Sequence, residues 1–205
     1  AKYYGAIKPY GVNIKFFEVE PAWQKAKRLE VEDAEINVPF IYRLYRAPSL
    51  FQGVAGRTPI QSEGLALVLF SEMFGGSATS FLYQKLVVEE KLLDSISTSY
   101  NPIARGEVGF DIYIQPKKDV TVQQAEKAFD GALAEYLSQP SDQKALERMK
   151  TNMIAQDIYR RDSSYSMANS IGRWVVSGGE IESFDNWLED IKAITEEDVR
   201  KVAQK

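Results

Sequence analysis

Leu69-Phe-Ser-Glu-Met-Phe-Gly75-Gly76-Ser-Ala-Thr79-Ser-Phe-Leu-Tyr-Gln-Lys-Leu-Val-Val-Glu-Glu-Lys91-Leu-Leu-Asp-Ser95-Ile-Ser-Thr-Ser-Tyr100 changes its period twice. Its first part closes an almost wholly apolar helix carrying Leu65, Leu67, Val68, Leu69 and Met73, and Gly75-Gly76 stops that helix. Phe81, Leu82, Leu86 and Val88 then recur at helical spacing and predict a second helix over about Thr79–Lys91. From Ser95 the pattern becomes short and alternating, as a strand requires.

Outward from this stretch, Thr58-Pro59 places proline in the first turn of the apolar helix. Upstream of it, Lys27–Asp33 alternates with Leu29 and Val31 on one face, and Val38–Arg46 is β-branched and aromatic; both read as strands. Pro39 suits an edge or the start of the second. Downstream, Val108–Gln115 reads as a strand joined to Ser95–Tyr100 through Asn101-Pro102 and Arg105-Gly106, a hairpin.

The remainder is helical. Thr121 with Gln124 has capping-box spacing and opens a helix with Phe129, Leu133 and Leu137 on its stripe. A long helix starts at Ser141 or Asp142 and runs to about Arg161. Others cover about Ser164–Val176, ending at Gly178-Gly179, then Ser183–Ala193 and Thr195–Lys205. Strands grouped before a block of helices predict an α+β fold: an antiparallel-rich mixed sheet with helices packed on one face. Gly5, Pro9, Gly11 and Pro21 make residues 1–24 a linker, leaving 25–205 as one domain. The opening Ala1-Lys2-Tyr3-Tyr4-Gly5 has no signal-peptide pattern and reads as a cut end.

Two absences limit the chemistry. The sequence holds no His and no Cys. That removes the usual zinc donors and excludes Ser-His-Asp and Cys-His catalysis. A formal charge of −4 gives no reason to expect nucleic acid. No apolar run is long enough to span a membrane. The lack of disulfides leaves the compartment open, bacterial periplasm and cytoplasm alike.

Four groups are candidates for chemistry. Gly75-Gly76-Ser77 could cradle phosphate, but it follows neither a Walker nor a dinucleotide pattern and reads better as a helix cap with a tight turn. Glu89-Glu90 and Glu196-Glu197-Asp198 are neighbouring carboxylates that point about 100° apart on a helix, the second set favouring a helix dipole. Asn152, Gln156, Tyr159, Arg160 and Asp162 share the long helix as a solvated face or a groove. Trp174 and Trp187 are expected to anchor the core or a domain interface.

The Leu69–Tyr100 segment resembles insulinase/pitrilysin-type zinc metallopeptidases, where an apolar helix and Gly-Gly precede Ser-Arg-Leu-Tyr-x-x-Leu-Arg-Glu-x-x-Gly-Leu-Ala-Tyr. Lys2-Tyr3-Tyr4-Gly5, the Val38–Tyr45 strand and the helix start at Ile194-Thr195-Glu196-Glu197-Asp198-Val199 are similar to the same family. The resemblance implies a closed chamber built from two homologous α+β halves. The N-terminal half would carry H-x-x-E-H and hold zinc with two His and a downstream Glu; the C-terminal half would be metal-free. A His-free chain can match only the latter. Its implied partners are its own N-terminal half, a related subunit in a homo- or heterodimer, and a peptide substrate; it is expected to be inactive alone.

The family's C-terminal halves often carry an Arg and a Tyr seven residues apart that reach the substrate. Here Val87 and Asp94 occupy those positions, Phe81 replaces the Arg of Ser-Arg-Leu-Tyr, and Lys91 replaces the Gly before Leu-Ala-Tyr. No substrate-contact role therefore carries over to this chain, and no catalytic or metal-binding residue is assigned. A partner subunit supplying the Arg/Tyr pair would make the assembly a heterodimer. The other readings are, from a different class, a non-catalytic structural or partner subunit of the same family and, third, a carboxylate-dependent hydrolase.

Overall fold

The computed structural model describes residue 21 and residues 25–51, 61–139 and 142–205. The chain divides at Glu32/Asp33, and Asp33–Lys205 forms one compact unit. Three strands, β1 (Ile41–Ala47), β2 (Leu93–Tyr100) and β3 (Val108–Pro116), pair antiparallel in the order β1-β3-β2. The helices are α1 (Gln61–Phe74), a π-helix (Tyr83–Glu89), α2 (Val122–Ser138), α3 (Gln143–Arg161), α4 (Ser164–Val176), α5 (Ile181–Ala193) and α6 (Glu196–Gln204).

The sheet's two faces follow from side-chain alternation. Phe110, Ile112 and Ile114 of β3 are buried, as are their cross-strand neighbours Ile41, Ile96 and Thr98. This face meets the helices. The opposite face presents Tyr42 and Leu44, and Tyr42 donates to Asp111 while Phe40 stacks on Tyr113 at 5.6 Å. An antiparallel sheet tolerates one open face, because its strands need only one apolar side. The α+β architecture with helices on one face is the one expected.

Helix α1 is the centre of the core and packs against β2, α3, α5 and α6. Leu65, Ala66, Leu67, Leu69, Phe70, Met73 and Phe74 are all buried, so the helix is apolar nearly all round. Its expected start at Thr58-Pro59 lies outside the described residues. Its end is tied to β2: the Gly75 and Gly76 N–H groups both donate to the Ser71 carbonyl, and the Thr98 N–H donates to the Gly75 carbonyl. Thr98 Oγ1 also donates to the Ser71 carbonyl at 2.7 Å. A Cβ on Gly75 would lie 2.6 Å from Thr98 Cγ2, so glycine is what lets helix and strand approach this closely.

The helix starts are set by side-chain caps. Thr121 and Gln124 form the expected capping box, Asp142 caps α3, Ser163 caps α4, and Thr195 and Asp198 form a second box. The Ser141 alternative for α3 lies outside the described residues. Helix α4 ends at Gly178 with φ 106°, in the left-handed region. Helix α5 begins two residues earlier than its sequence pattern suggests, at Ile181.

Three expectations are corrected. Lys27–Asp33 forms no strand and pairs in no ladder among the described residues, and Leu29 and Val31 are 86 % and 70 % exposed. Alternation names two faces, but a strand also needs a partner for its N–H and C=O groups. The second helix is not α-helical over Thr79–Lys91: a short turn at Phe81–Leu82 passes into the π-helix. The buried side of α2 is Ala125, Phe129 and Ala132, with Leu133 and Leu137 only half-buried beside it.

Tyr136 of α2 reports on this packing. Burial, with a smaller contribution from Asp142, pushes its phenol up to about 12. An unfolded tyrosine titrates near 10 (about 10 in model peptides). Because the folded pKa is raised, the associated stability is present below the unfolded pKa and is lost as pH rises through the folded one. Tyr136→Phe should therefore flatten the alkaline fall in stability between about pH 10 and pH 12. Urea midpoints across that range check it; an unchanged slope would contradict the burial assigned to Tyr136. Tyr100, whose phenol is also raised by burial, accounts for a remaining slope.

Candidate functional site

Val87 and Asp94, the positions expected to correspond to the Arg/Tyr pair, lie on either side of one junction, where the π-helix hands over to β2. The junction is built locally. Ser80 is buried, with its N–H and Oγ both donating to the Ser77 carbonyl. Gln84 reaches back to the Ala78 carbonyl at 2.6 Å. Leu82 and Leu86 are fully buried and pin the helix to the core. The Glu90 N–H then donates to the Lys85 carbonyl at 2.9 Å, the wider spacing that defines the π form.

The exit requires a reversal. Lys91 adopts φ 56°, the one positive φ outside glycine among the described residues. With it, the Leu92 N–H donates to the Leu86 carbonyl at 3.0 Å and the Lys117 N–H to the Leu92 carbonyl at 3.0 Å. The left-handed region disfavours a residue with a Cβ by roughly 1–2 kcal/mol. This is the position where the resemblance leads one to expect glycine. Lys91→Gly should thus stabilise the domain by about 1 kcal/mol, after the extra freedom of glycine in the unfolded chain is subtracted. Lys91→Ala, which keeps the Cβ, should give no such gain. Equal urea midpoints for the two variants would show that φ strain is absent here.

Val87 is half-buried on the π-helix, and Asp94 is exposed at the start of β2. A register shift between Leu93 and Ser95 places Asp94 at an irregularity in the β2–β3 ladder. Such bulges re-aim side chains. Around them Glu89, Glu90 and Lys91 are exposed, and Lys85 bridges Glu135 at 2.8 Å and Glu90 at 3.6 Å. Glu135 foremost, then Glu90, raises the Lys85 pKa. The junction brings Val87 and Asp94 to neighbouring segments, but its chemistry differs from that of the family pair. Valine has no donor, and aspartate presents acceptors and negative charge.

The other candidates take structural roles. Gly75-Gly76 closes α1 on β2. Glu196, Glu197 and Asp198 form the first turn of α6: Asp198 accepts from the Thr195 N–H at 2.9 Å, and Glu197 pairs with Lys201 at 2.8 Å. Hydrogen bonding from Thr195 holds the Asp198 carboxyl below its ordinary pKa. On α3, Asn152, Gln156, Tyr159, Arg160 and Asp162 are exposed. Trp174 is a core anchor: its Nε1 donates to the Glu180 carbonyl at 3.0 Å, and its ring meets Phe51 and Phe184 edge-on. Trp187 is half-buried, with the Arg160 guanidinium 5.7 Å above its ring.

Two acids, one buried and one half-buried, escaped the sequence reading. Asp157 is 2 % exposed and is held by Arg160 and Arg161, the latter at 2.6 Å. The signal was there: an acid three and four residues before two arginines on one helix. Glu72 borders a cavity of about 200 Å³ with Tyr136, Arg148 and Arg200, and burial raises its carboxyl pKa. An acid set between Leu69-Phe70 and Met73-Phe74 is the corresponding clue.

Zinc does not fit these residues. With neither His nor Cys in the sequence, the preferred donors are missing, and no three acidic groups converge among the described residues.

Residues 2–153 match the family model described as the peptidase M16 inactive domain. No curated protein sequence matches the chain. Among solved structures it is similar to a protease from Helicobacter pylori, with 17% identity and a TM-score of 0.74. That match covers 85% of this chain and 39% of the protease, so the chain spans well under half of that relative. It is also similar to the inactive peptidase domain of a provisionally named zinc protease from Bordetella parapertussis. Identity there is 16%, the TM-score is 0.68, and 82% and 85% of the two chains are covered. A peptidase M16 inactive domain from Pseudomonas fluorescens aligns at 19% identity and a TM-score of 0.55, covering 67% and 32%. At such identities the structural likeness establishes the fold, and the family match, over most of the chain, establishes membership: this chain belongs to the peptidase M16 inactive domain family.

Proposed function

We propose that the chain is the C-terminal, non-zinc-binding half of a zinc metalloendopeptidase, where it completes the substrate chamber and contributes to a dimer interface. The observation that carries this reading is the family match to an inactive domain in a sequence without His or Cys. The length relation supports it: a relative with the same fold is a protease more than twice as long, leaving room for a metal-bearing half. Residues 1–24 would then be the linker between the halves. Hydrolysis would be carried out by the zinc half, and this domain would shape the enclosed space.

A second reading has its own support. Val87 and Asp94 stand where the family's substrate-reaching pair is expected. A partner subunit would then provide the Arg and Tyr, and the parent chain would act as its non-catalytic or half-competent companion.

The test is complementation. The 205-residue chain is mixed with a separately produced zinc-bearing half of its parent, and cleavage of a quenched fluorescent peptide is followed. The chain alone should be inactive, and the mixture should cleave in a chelator-sensitive way. Cleavage by the isolated chain in strong chelator would instead support a carboxylate-dependent hydrolase. A parent without H-x-x-E-H would overturn the zinc-peptidase reading in favour of a structural subunit.

A further inference from the structure

A second cavity lies away from the π-helix junction, between α1, the ends of α3 and β2, and the α4–α5 pair, and has a volume of about 470 Å³. That falls within the range of small-molecule sites, about 300–1,000 Å³. Leu65, Val68, Ile103 and Phe184 give it apolar walls, and Trp174 and Trp187 add two indole surfaces.

Its polar lining is one-sided. Among the described residues two arginines, Arg160 and Arg173, border it, and no Asp or Glu does. Arg160 is engaged by the buried Asp157, which Arg161 also satisfies. Arg173 is exposed on α4 and has no acidic partner among the described residues. Trp187 is half-buried beside it, and its buried Nε1–H meets no acceptor among the described residues. A buried donor left unpaired costs about 1–3 kcal/mol, so native structures rarely keep one without a reason.

We infer that this cavity binds a small organic carboxylate carrying an aromatic or other bulky apolar group. The apolar group would lie against the indoles, and the carboxylate would meet the Arg173 guanidinium, whose planar fork matches two carboxylate oxygens. Arg160 stays over the Trp187 ring and adds positive potential without leaving Asp157. The site is independent of the peptidase reading. A free aryl acid and the C-terminus of a peptide ending in an aromatic residue share this chemistry.

The experiment is a titration of the ¹⁵N-labelled 205-residue chain followed by NMR. The probes are phenylacetate, its uncharged amide phenylacetamide, and the tripeptide acid N-acetyl-Ala-Ala-Phe. The Trp187 indole N–H signal should shift saturably with a carboxylate at millimolar concentration. The Trp174 indole N–H, which already donates to the Glu180 carbonyl and the Ser183 hydroxyl, lines the same cavity and should shift along the same titration curve. Phenylacetamide should bind at least tenfold more weakly, as should phenylacetate to Arg173→Gln, an exposed substitution that leaves the amide spectrum otherwise in place. Tighter binding of the tripeptide would identify peptide C-termini as the source, and tighter binding of phenylacetate a free acid. The inference is overturned if neither carboxylate moves the Trp187 signal, if the amide binds as well as the acid, or if Arg173→Gln binds unchanged.

Discussion

Replacing Phe74 with alanine should destabilise the domain by about 3–5 kcal/mol, the range for removing a large aromatic from a packed core. Phe74 is 1 % exposed and is the last residue of α1. Its ring lies 5.0 Å from Phe70, 5.0 Å from Tyr136, 6.3 Å from Phe129 and 6.5 Å from Phe81. Those partners come from α1, α2 and the turn entering the π-helix, so the residue joins three elements. Small domains are stable by only about 5–15 kcal/mol, so this one truncation removes a large share. Phe74→Leu, which refills most of the volume, should cost no more than about 1.5 kcal/mol. Phe40→Ala is the surface control: Phe40 stacks on Tyr113 but is 49 % exposed, and should cost under about 1 kcal/mol. Urea melts read all three through the midpoint. A Phe74→Ala loss no larger than that of Phe40→Ala would refute the central placement of this cluster.

The same residues show why much of the fold was legible in sequence. The helical period, the Gly-Gly stop and the capping spacings are local, and local signals survive tertiary packing. Thr121 with Gln124 and Thr195 with Asp198 form the boxes that their spacing implies. Alternation in β3 separates Phe110, Ile112 and Ile114 from Asp111 and Tyr113 in the same way. The failures are non-local. Lys27–Asp33 alternates as well as any strand, but pairing depends on a neighbour that sequence periodicity does not supply. The π form of Tyr83–Glu89 was also hidden. Phe81, Leu82 and Leu86 satisfy an α-period, and only the backbone shows the inserted residue.

The site was legible through departures more than through matches. Lys91 stands where the resemblance leads one to expect glycine, and the structure gives the departure a physical meaning, a positive φ borne by a residue with a side chain. Asp157 and the 470 Å³ cavity were not visible in advance. The first needs two arginines to fold back on one acid; the second is made by residues from α1, β2, α3, α4 and α5 meeting in space. No motif spacing encodes such a meeting.

Restoring the family pair in the full-length parent should raise peptide cleavage by on the order of 10²-fold, if this half has lost the donors that its relatives aim at substrate. The size follows from removing one positioned donor from a developing charge, which lowers kcat by about 10²–10³. The variant is Val87→Arg with Asp94→Tyr. Both positions tolerate the change in structural terms. Asp94 is exposed at a ladder irregularity, and Val87 is half-buried at the edge of the π-helix, beside the exposed Val88. Arginine at 87 can extend its guanidinium to solvent while its aliphatic stem covers the surface valine left behind. The gain should need both changes, since valine contributes no donor and Asp94 would oppose a developing negative charge. Single variants should therefore recover less than the pair, a non-additive result expected of groups acting on one substrate. Adding a related subunit that carries the Arg and Tyr should raise the unmodified parent similarly and the double variant little. If the unmodified parent already cleaves fully without a partner, Val87 and Asp94 are not a loss, and this domain holds substrate by other residues.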